Sequence, residues 1–567
     1  MEKILHEKRE FTTMKELIEE LPKMYDGRVA YTYRANPRDK EATQKTFNQL
    51  RDDVRALGSE LVARGMAGKH IVLVGKLTYS WVLSYFATLS VGSTLIPLDR
   101  DWQDKDLADT ALRADADYIF ADADVLDKAT VMASTSGASE IILVDGEAKT
   151  AEDGKTYDTV SALIEAGRVK YNEDSTPYES APIDPTVMAL LVFTSGTTGK
   201  GKGVMLSQKN ILSDIADVLP FIDFSFNTIG ALPPQHTYGS TVMIVGQACI
   251  GCNVYLSGGI RYITNELKSE KPGHLVLVPL YLETFYRKIM SNIKAKGKER
   301  TVKTVMKLRH LIPVKLRRKM FKDVLAAFGG EVNMLISGGA ALNQEIVDTF
   351  ETFGITVLNG YGITECSPLV AVNHNYNKVK GSVGFPLPIC DVKIAEPNEC
   401  GEGEICIKGP NVMLGYYKDE QATAEAFTED GYFRTGDYGK IGKKGALFIT
   451  GRKKNLIILS NGKNVYPEEI ENEFTSIPGV LDIIVYEGKS KRGDMYNQIV
   501  AEIYPDEEYM EKNKVEDAHK YFTTFVDEYN KTAVAYKKIG ILKVRTEPFP
   551  KNTLRKIMRF KLDMTID

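Results

Sequence analysis

Ten consecutive residues, Thr194-Ser-Gly-Thr-Thr-Gly-Lys-Gly-Lys-Gly203, bring together four hydroxyls, four glycines and two lysines with no acidic or bulky side chain. Glycines let a backbone turn tightly and present N–H groups to an anion, hydroxyls donate hydrogen bonds, and lysines supply charge. Such a loop is suited to gripping a polyphosphate. Gly196, Gly201 and Lys202 also fit the G-x-x-x-x-G-K of a P-loop. Two features speak against that reading: Gly203 stands where a Mg²⁺-binding Ser or Thr belongs, and an apolar stretch follows instead of a helix. The flanking runs Ala189-Leu-Leu-Val-Phe193 and Val204-Met-Leu206 predict strand, loop, strand, which argues against a free Gly/Ser/Thr linker.

Further along lie other residue groups able to do chemistry. Gly338-Gly-Ala340, after the strand-like Met334-Leu-Ile-Ser337, would let a flat ring lie against backbone. Asn359-Gly-Tyr-Gly-Ile-Thr-Glu365 offers a phenol ring for stacking and a carboxylate for a hard cation. Asp437, in Arg434-Thr-Gly-Asp437, is an acceptor-only group suited to a vicinal diol. Thr450-Gly-Arg-Lys-Lys-Asn455, Ser460-Asn-Gly-Lys-Asn464 and Pro550-Lys-Asn-Thr-Leu-Arg-Lys-Ile-Met-Arg559 add cations and a glycine turn. His236 follows Leu232-Pro-Pro-Gln235; a lone histidine is as often a satisfied core group as a functional one.

In order and spacing these stretches resemble the signatures of the acyl-adenylating superfamily, which includes acyl-CoA synthetases, adenylation domains of peptide synthetases and luciferases. The loop resembles T-S-G-T-T-G-x-P-K-G, with Gly201 in place of the proline. The resemblance implies that Thr194, Ser195, Gly196, Thr197, Thr198, Gly199, Lys200 and Lys202 hold phosphate. It places adenine against Gly338, Gly339 and Ala340, with Asn359, Gly360, Tyr361 and Gly362 around it and the Tyr361 ring stacked on the base. Thr364 would contact the α-phosphate or the acyl carboxylate. Glu365 would bind Mg²⁺, with Thr194 as a second ligand. Asp437 would bind both ribose hydroxyls, Arg452 would help hold the nucleotide, Lys454 would be the hinge, and Gly462 would pass the pantetheine arm. Aligning Lys-Ile-x-Arg makes Lys556 the catalytic lysine, with Lys551 the alternative; Arg555 replaces a usual glycine and Asn455 a usual aspartate. His236 becomes a wall or gate beside the substrate carboxylate, and an apolar helix from Val242 to Ile250 would line an acyl tunnel, unless it is plain core.

The elements that must position these groups follow from the pattern. At 567 residues the chain exceeds a single core. Helical periodicity over Thr46–Met66, a strand at His70–Val74, a helix at Ser80–Leu89 and strands at Ser93–Pro97, Ala116–Ala121 and Glu140–Val144 predict parallel α/β architecture. Residues 146–182 are polar and show no clear period. The expected fold is α/β, with a large multi-subdomain adenylating domain over 1–453 and a small mobile α+β domain over 454–567.

Composition narrows the function classes. A net charge of −4 predicts no nucleic-acid affinity. Six cysteines make a disulfide framework unexpected, and Cys249-x-x-Cys252 has no second pair to complete a zinc site. No apolar run reaches the roughly 18 residues needed to span a bilayer, and the start lacks an apolar signal core. A reducing, cytoplasmic setting is expected. Between 287 and 320 stand thirteen Lys or Arg against the single acid Glu299, interleaved with Ile293, Val305, Met306, Leu308, Leu311 and Ile312. This reads as a solvated excursion, a peripheral contact with anionic lipid, or a face for an acidic carrier protein. Long-chain acyl-CoA synthetases carry an elongated segment at a similar place. The reading is therefore an AMP-forming acid–thiol ligase using ATP, Mg²⁺ and CoA on a long-chain fatty acid. Alternatives are loading of a carrier-protein phosphopantetheine, a medium-chain or aryl acid, or a non-catalytic acyl or nucleotide sensor. A homodimer is compatible with the sequence.

Overall fold

The apolar run His70–Val74 forms a strand whose Ile71, Val72, Leu73 and Val74 are fully buried, as expected for a parallel strand covered on both faces. The computed structural model describes residues 4–146, 149–150, 156–194, 201–459, 464–489, 495–551 and 557–566. His70–Val74 sits within a seven-stranded sheet ordered Gly415–Tyr416, Lys202–Ser207, Met188–Thr194, Thr94–Leu98, His70–Val74, Tyr118–Ala121, Glu140–Leu143. The last four strands and Met188–Thr194 are parallel. Lys202–Ser207 turns back antiparallel on Met188–Thr194, so the two ends of the expected phosphate loop, Thr194 and Lys202, are paired at the side of the sheet.

Helix Phe47–Ala63 begins at a capping box, Thr46 with Gln49, and buries Leu50, Val54, Leu57 and Leu61 on one face. Against it packs helix Val160–Glu173, in the stretch that the sequence leaves without a period. The reason is visible: this helix buries only Val160, Leu163 and Gly167, too thin a stripe to read. Gly167 permits the approach, because a Cβ there would lie 1.9 Å from the Ala56 carbonyl oxygen.

A second sheet begins with His274–Leu277, Met334–Ser337 and Thr356–Gly362, which run parallel with His274, Met334 and Thr356 in register. Leu369–Val372 and Phe385–Pro386 complete it antiparallel. The adenine-type turn and the Tyr361–Glu365 stretch thus leave adjacent strands at the same end. A four-stranded antiparallel sheet, Asp391–Ala395, Gly403–Lys408, Phe433–Ile441 and Leu447–Arg452, carries Asp437 and Arg452.

The apolar stretch expected as a helix over Val242–Ile250 is instead a π-helix, Tyr238–Gly246, continued by one turn, Gln247–Cys249. Every residue from Gly239 to Gly246 is buried. The basic stretch resolves into three helices, Pro279–Ala295, Glu299–Leu308 and Val314–Met320.

Lys453–Asn455 forms a single 3₁₀ turn after strand Leu447–Arg452, and the boundary expected between 453 and 454 falls within it. Beyond it, helices Pro467–Phe474 and Ala518–Thr532 pack on strands Val480–Lys489, Met495–Pro505 and Ile539–Val544. They enclose a separate apolar cluster that includes Ile470, Phe474, Val485, Ile503, Phe522 and Ile539. The cysteines described are all free, five of them buried. No helix among the described residues is long and apolar enough to cross a membrane.

Candidate active site

The hairpin expected to carry the phosphate loop closes on the pair Thr194 and Lys202. Ser195, Gly196, Thr197, Thr198, Gly199 and Lys200 lie outside the described residues. At the closure a Cβ on Gly201 would stand 2.3 Å from the Thr194 carbonyl oxygen. The departure from the usual proline therefore has a steric counterpart: this closure excludes any residue bearing a Cβ. Arg113 Nη2 donates to the Gly201 carbonyl at 2.7 Å while its guanidinium lies 5.3 Å from the Phe193 ring centre. Arg113 thus ties the loop to the sheet's helical layer, a role with no sequence signature.

Lys202 lies with Nζ 4.6 Å from the centre of the Tyr416 ring. Tyr416 reaches it because Gly415–Tyr416 is the strand next to Lys202–Ser207. The Tyr416 hydroxyl donates to Glu365 Oε1 at 3.0 Å. One tyrosine therefore joins the phosphate-loop lysine to the expected metal carboxylate. Glu365 sits in a 3₁₀ turn, Thr364–Cys366, at the end of strand Thr356–Gly362, and its own carbonyl accepts from Met413 N–H at 2.8 Å. Burial raises the Glu365 pKa above the ordinary carboxylate value, while the Tyr416 hydrogen bond and the Arg452 charge pull it down.

A desolvated carboxylate that is costly to ionise alone is suited to a cation's company. Thr194 contributes a hydroxyl oxygen, its Oγ1 donating weakly to Lys202 O at 3.5 Å. Among the described residues no group of three or more acidic, histidine or cysteine side chains forms a metal cage. One carboxylate and one hydroxyl fit Mg²⁺, which keeps most of its shell as water and substrate phosphate.

Asp437 is 2 % exposed, and its two oxygens are engaged from different sheets. The Tyr361 hydroxyl donates to Oδ2 at 2.6 Å, and Arg452 Nε pairs with Oδ1 at 2.7 Å. Asp437 and Arg452 are register partners across neighbouring strands, which fixes that pair. Asp437 N–H donates to Thr435 Oγ1 at 3.0 Å, and Gly436 takes φ +68° to allow the bend. Tyr361 is therefore held by its hydroxyl, which orients the ring expected to stack on adenine.

The adenine-type turn follows strand Met334–Ser337. Gly338 faces Tyr238, whose ring would touch a Cβ there at 3.0 Å, Gly339 takes φ +87°, and Ala340 is exposed. Tyr238 is anchored by donating to the Leu277 carbonyl at 3.3 Å. It stands two residues beyond the half-buried His236, whose carbonyl accepts from Gly239 and Ser240 N–H, both at 2.8 Å. The π-helix starts there, a geometry that recurs at functional sites. Tyr238 thus links the start of the π-helix to the turn at Gly338.

At the expected hinge, burial and the neighbouring Arg452 lower the Lys454 pKa, against the opposite pull of Asp437 and Glu468. Asn455 Nδ2 donates to Glu468 Oε1 at 2.5 Å, so the amide found here supplies a proton that an aspartate could not. Lys453 and Arg434 both pair with the buried Glu404, at 2.8 and 3.2 Å. Gly462 and Lys556 lie outside the described residues. The alternative lysine, Lys551, is ion-paired to Asp482 at 2.7 Å.

Known proteins resemble this chain in sequence and in fold. The family described as AMP-binding enzyme matches residues 18–417. Long-chain-fatty-acid–CoA ligase 5 of Mus musculus is 28 % identical over 487 residues, spanning 80 % of this chain and 70 % of that protein. Among solved structures, ATP-bound MatB from Rhodopseudomonas palustris superposes with a TM-score of 0.72 at 23 % identity, covering 96 % of this chain and 97 % of that one. The anthranilate CoA ligase AuaEII in complex with anthranoyl-AMP gives a TM-score of 0.75 at 16 % identity, covering 97 % and 96 %. With the matched profile spanning most of its length, the chain belongs to the AMP-binding enzymes, the acyl-adenylating superfamily that its motifs resemble.

Proposed function

We propose that the protein activates a carboxylic acid, a long-chain fatty acid first among candidates, by attack of its carboxylate on the α-phosphate of ATP. Acyl-AMP forms and pyrophosphate leaves; a CoA thiol then attacks the acyl carbonyl, giving acyl-CoA and releasing AMP. The observation that carries the reading is the linkage Lys202–Tyr416–Glu365 beside Arg452–Asp437–Tyr361, a phosphate end and a ribose end on one framework.

The difficulty of the first step is electrostatic, since an anion must approach a polyanion. The phosphate loop from Thr194 to Lys202 and the catalytic Lys556 supply positive charge and N–H donors there. Thr364, next to Glu365, orients the α-phosphate or the acid. Mg²⁺ held by Glu365 and Thr194 would neutralise phosphate charge. Asp437, steadied by Tyr361 and Arg452, accepts from the ribose hydroxyls. The base lies on Gly338, Gly339 and Ala340, bordered by Asn359, Gly360 and Gly362 and covered by the Tyr361 ring. His236 and the π-helix wall the acyl side. No general base is required, because the attacking carboxylate is already ionised.

For the second step, residues 454–567 rotate about Lys454, withdraw Lys556 and bring Gly462 to the pantetheine arm, a hinge motion absorbed by one residue. Long-chain preference is supported by the name of the mouse relative, and CoA as acceptor by that name and by that of AuaEII. A reducing, cytoplasmic setting agrees with the free cysteines.

Pyrophosphate release from acids of graded length and from aryl acids, with and without CoA, tests the reading. CoA-dependent turnover peaking at long aliphatic acids is expected. Turnover only with a phosphopantetheinylated carrier protein would reassign the acceptor, an optimum at aryl or medium-chain acids the substrate. No release from any acid would leave a sensor.

A further inference from the structure

The surface from Glu299 to Met320 has no part in nucleotide or acid binding as described above, and its side chains are sorted with a regularity the sequence does not show. Helix Glu299–Leu308 buries Val302 and Val305 against the body, and Phe321 closes the far end of helix Val314–Met320. Three arginines of the segment point inward. Arg309 Nη2 pairs with Asp348 at 3.0 Å, and Arg317 donates to the carbonyls of Ile312 at 3.1 Å and of Glu351. Arg318 donates to the carbonyls of Val332 at 2.7 Å and Gly354 at 3.2 Å. These guanidiniums are tethers that pin the segment to the body.

What the tethers leave outward is apolar and cationic together. Leu308 is 45 % exposed, Leu311 80 %, Val314 and Leu316 50 % each, and Met320 46 %. Five of the nineteen exposed large hydrophobic residues described in the protein thus fall within thirteen consecutive positions. Lys303, Lys307, Lys315 and Lys319 are exposed as well, while the ion pair described for the segment runs through Arg309. In helix Val314–Met320, Lys315 and Lys319 are four residues apart, and so are Leu316 and Met320. Each pair therefore stacks along the helix, a cationic rail beside an apolar one. Lys303 and Lys307 repeat the cationic rail on the preceding helix, and Leu311 stands at the apex of the turn between them. No acidic residue occurs from 300 to 322.

We propose that this face docks the enzyme on an anionic lipid bilayer, with Leu308, Leu311, Leu316 and Met320 in the headgroup–acyl boundary and the lysines on lipid phosphates. A bilayer supplies an apolar layer and an anionic layer at adjacent depths, which is what neighbouring rails of the two kinds require. An acidic protein partner would satisfy the lysines but would need an apolar surface shaped to a protruding Leu311. The contact is superficial, since no helix among the described residues can span. It does not rest on the assignment of the reaction.

The test is co-sedimentation of the full chain with vesicles of phosphatidylcholine alone or containing phosphatidylglycerol, at low and high salt. Salt-sensitive binding to the anionic vesicles is expected, with little binding to the neutral ones. Lys315→Glu with Lys319→Glu should weaken it by at least about tenfold. Leu311→Ser should weaken it at both salt concentrations, while thermal unfolding and pyrophosphate release from a short, soluble acid stay at the wild-type level. Absence of vesicle binding, or binding indifferent to both variants, overturns the proposal. So does saturable binding of an acidic carrier protein at this face without vesicle binding.

Discussion

Asp437→Asn isolates the ribose end of the site, because it keeps volume and one acceptor oxygen while removing the charge. In the unliganded protein the change is mild. Arg452 loses its ion pair, but its side chain is 42 % exposed and can turn to water, so the cost is about 1 kcal/mol or less. The amide oxygen can still accept from the buried Tyr361 hydroxyl, now 2.6 Å from Oδ2. With nucleotide bound the account predicts a larger loss. A carboxylate accepting from both ribose hydroxyls makes two charge-assisted hydrogen bonds, each worth about 1.5–3 kcal/mol, and the amide keeps at most one neutral one. The net loss is ~2–4 kcal/mol, or ~30- to ~1000-fold in kcat/KM for ATP. The assay is a cycle of two proteins and two nucleotides, ATP and 2′,3′-dideoxy-ATP, read by pyrophosphate release, with melting curves as the folding control. Wild type should lose a comparable factor on dideoxy-ATP, and Asp437→Asn should lose little more on that analogue. Two independent, multiplying losses would refute the assignment of Asp437 to the ribose.

The remaining predictions address the metal, the lysine and the fold. Tyr416→Phe keeps the ring under Lys202 and removes only the hydroxyl on Glu365, so half-saturating Mg²⁺ should rise by a factor of roughly five, about 1 kcal/mol; an unchanged Mg²⁺ titration would detach Tyr416 from the metal site. Lys556→Ala should lower acyl-AMP formation by about 10²-fold or more yet spare thioester formation from supplied acyl-AMP, and equal loss of both steps would remove its catalytic role. His274 is buried with Nδ1 2.8 Å from Ser225 Oγ and Nε2 3.0 Å from Gln247 Oε1, and burial holds its pKa down at about 3. Its folded value lies below the unfolded value near 6.5, so its neutral form's contribution is complete above pH 6.5 and is lost as pH falls towards 3. At pH 5 the loss is about 2 kcal/mol, and a His274→Gln variant should show a flatter dependence of stability on pH between 7 and 5; superimposable profiles would contradict this.

What was legible in the sequence depended on how local the physics is. Parallel strands buried on both faces, such as His70–Val74, announce themselves as short apolar runs bounded by turns. The stretches around Glu365, Asp437 and Arg452 stand out locally as motifs, and the structure places these three residues near one another. Contacts made across the chain left no local trace. Tyr416 meets Glu365 across fifty-one residues and Arg113 meets Gly201 across eighty-eight, and neither stands in a distinctive pattern. The π-helix at Tyr238–Gly246 is buried on every side from Gly239 onward, so no one-sided stripe marks its period apart from that of an α-helix. In the basic segment the sequence shows charge and apolar residues mixed. Only the fold separates inward arginines from outward lysines, and buried Ile293 and Val305 from exposed Leu308 and Leu311.

The central claim is that the acid's own oxygen attacks the α-phosphate at this site, and an isotope can follow that atom. A long-chain acid carrying ¹⁸O in both carboxylate positions would be turned over with ATP and CoA, and the AMP and pyrophosphate examined by mass spectrometry. The account predicts one ¹⁸O in AMP for each acyl-CoA formed and none in pyrophosphate. Unlabelled AMP, or label in pyrophosphate or inorganic phosphate, would contradict it.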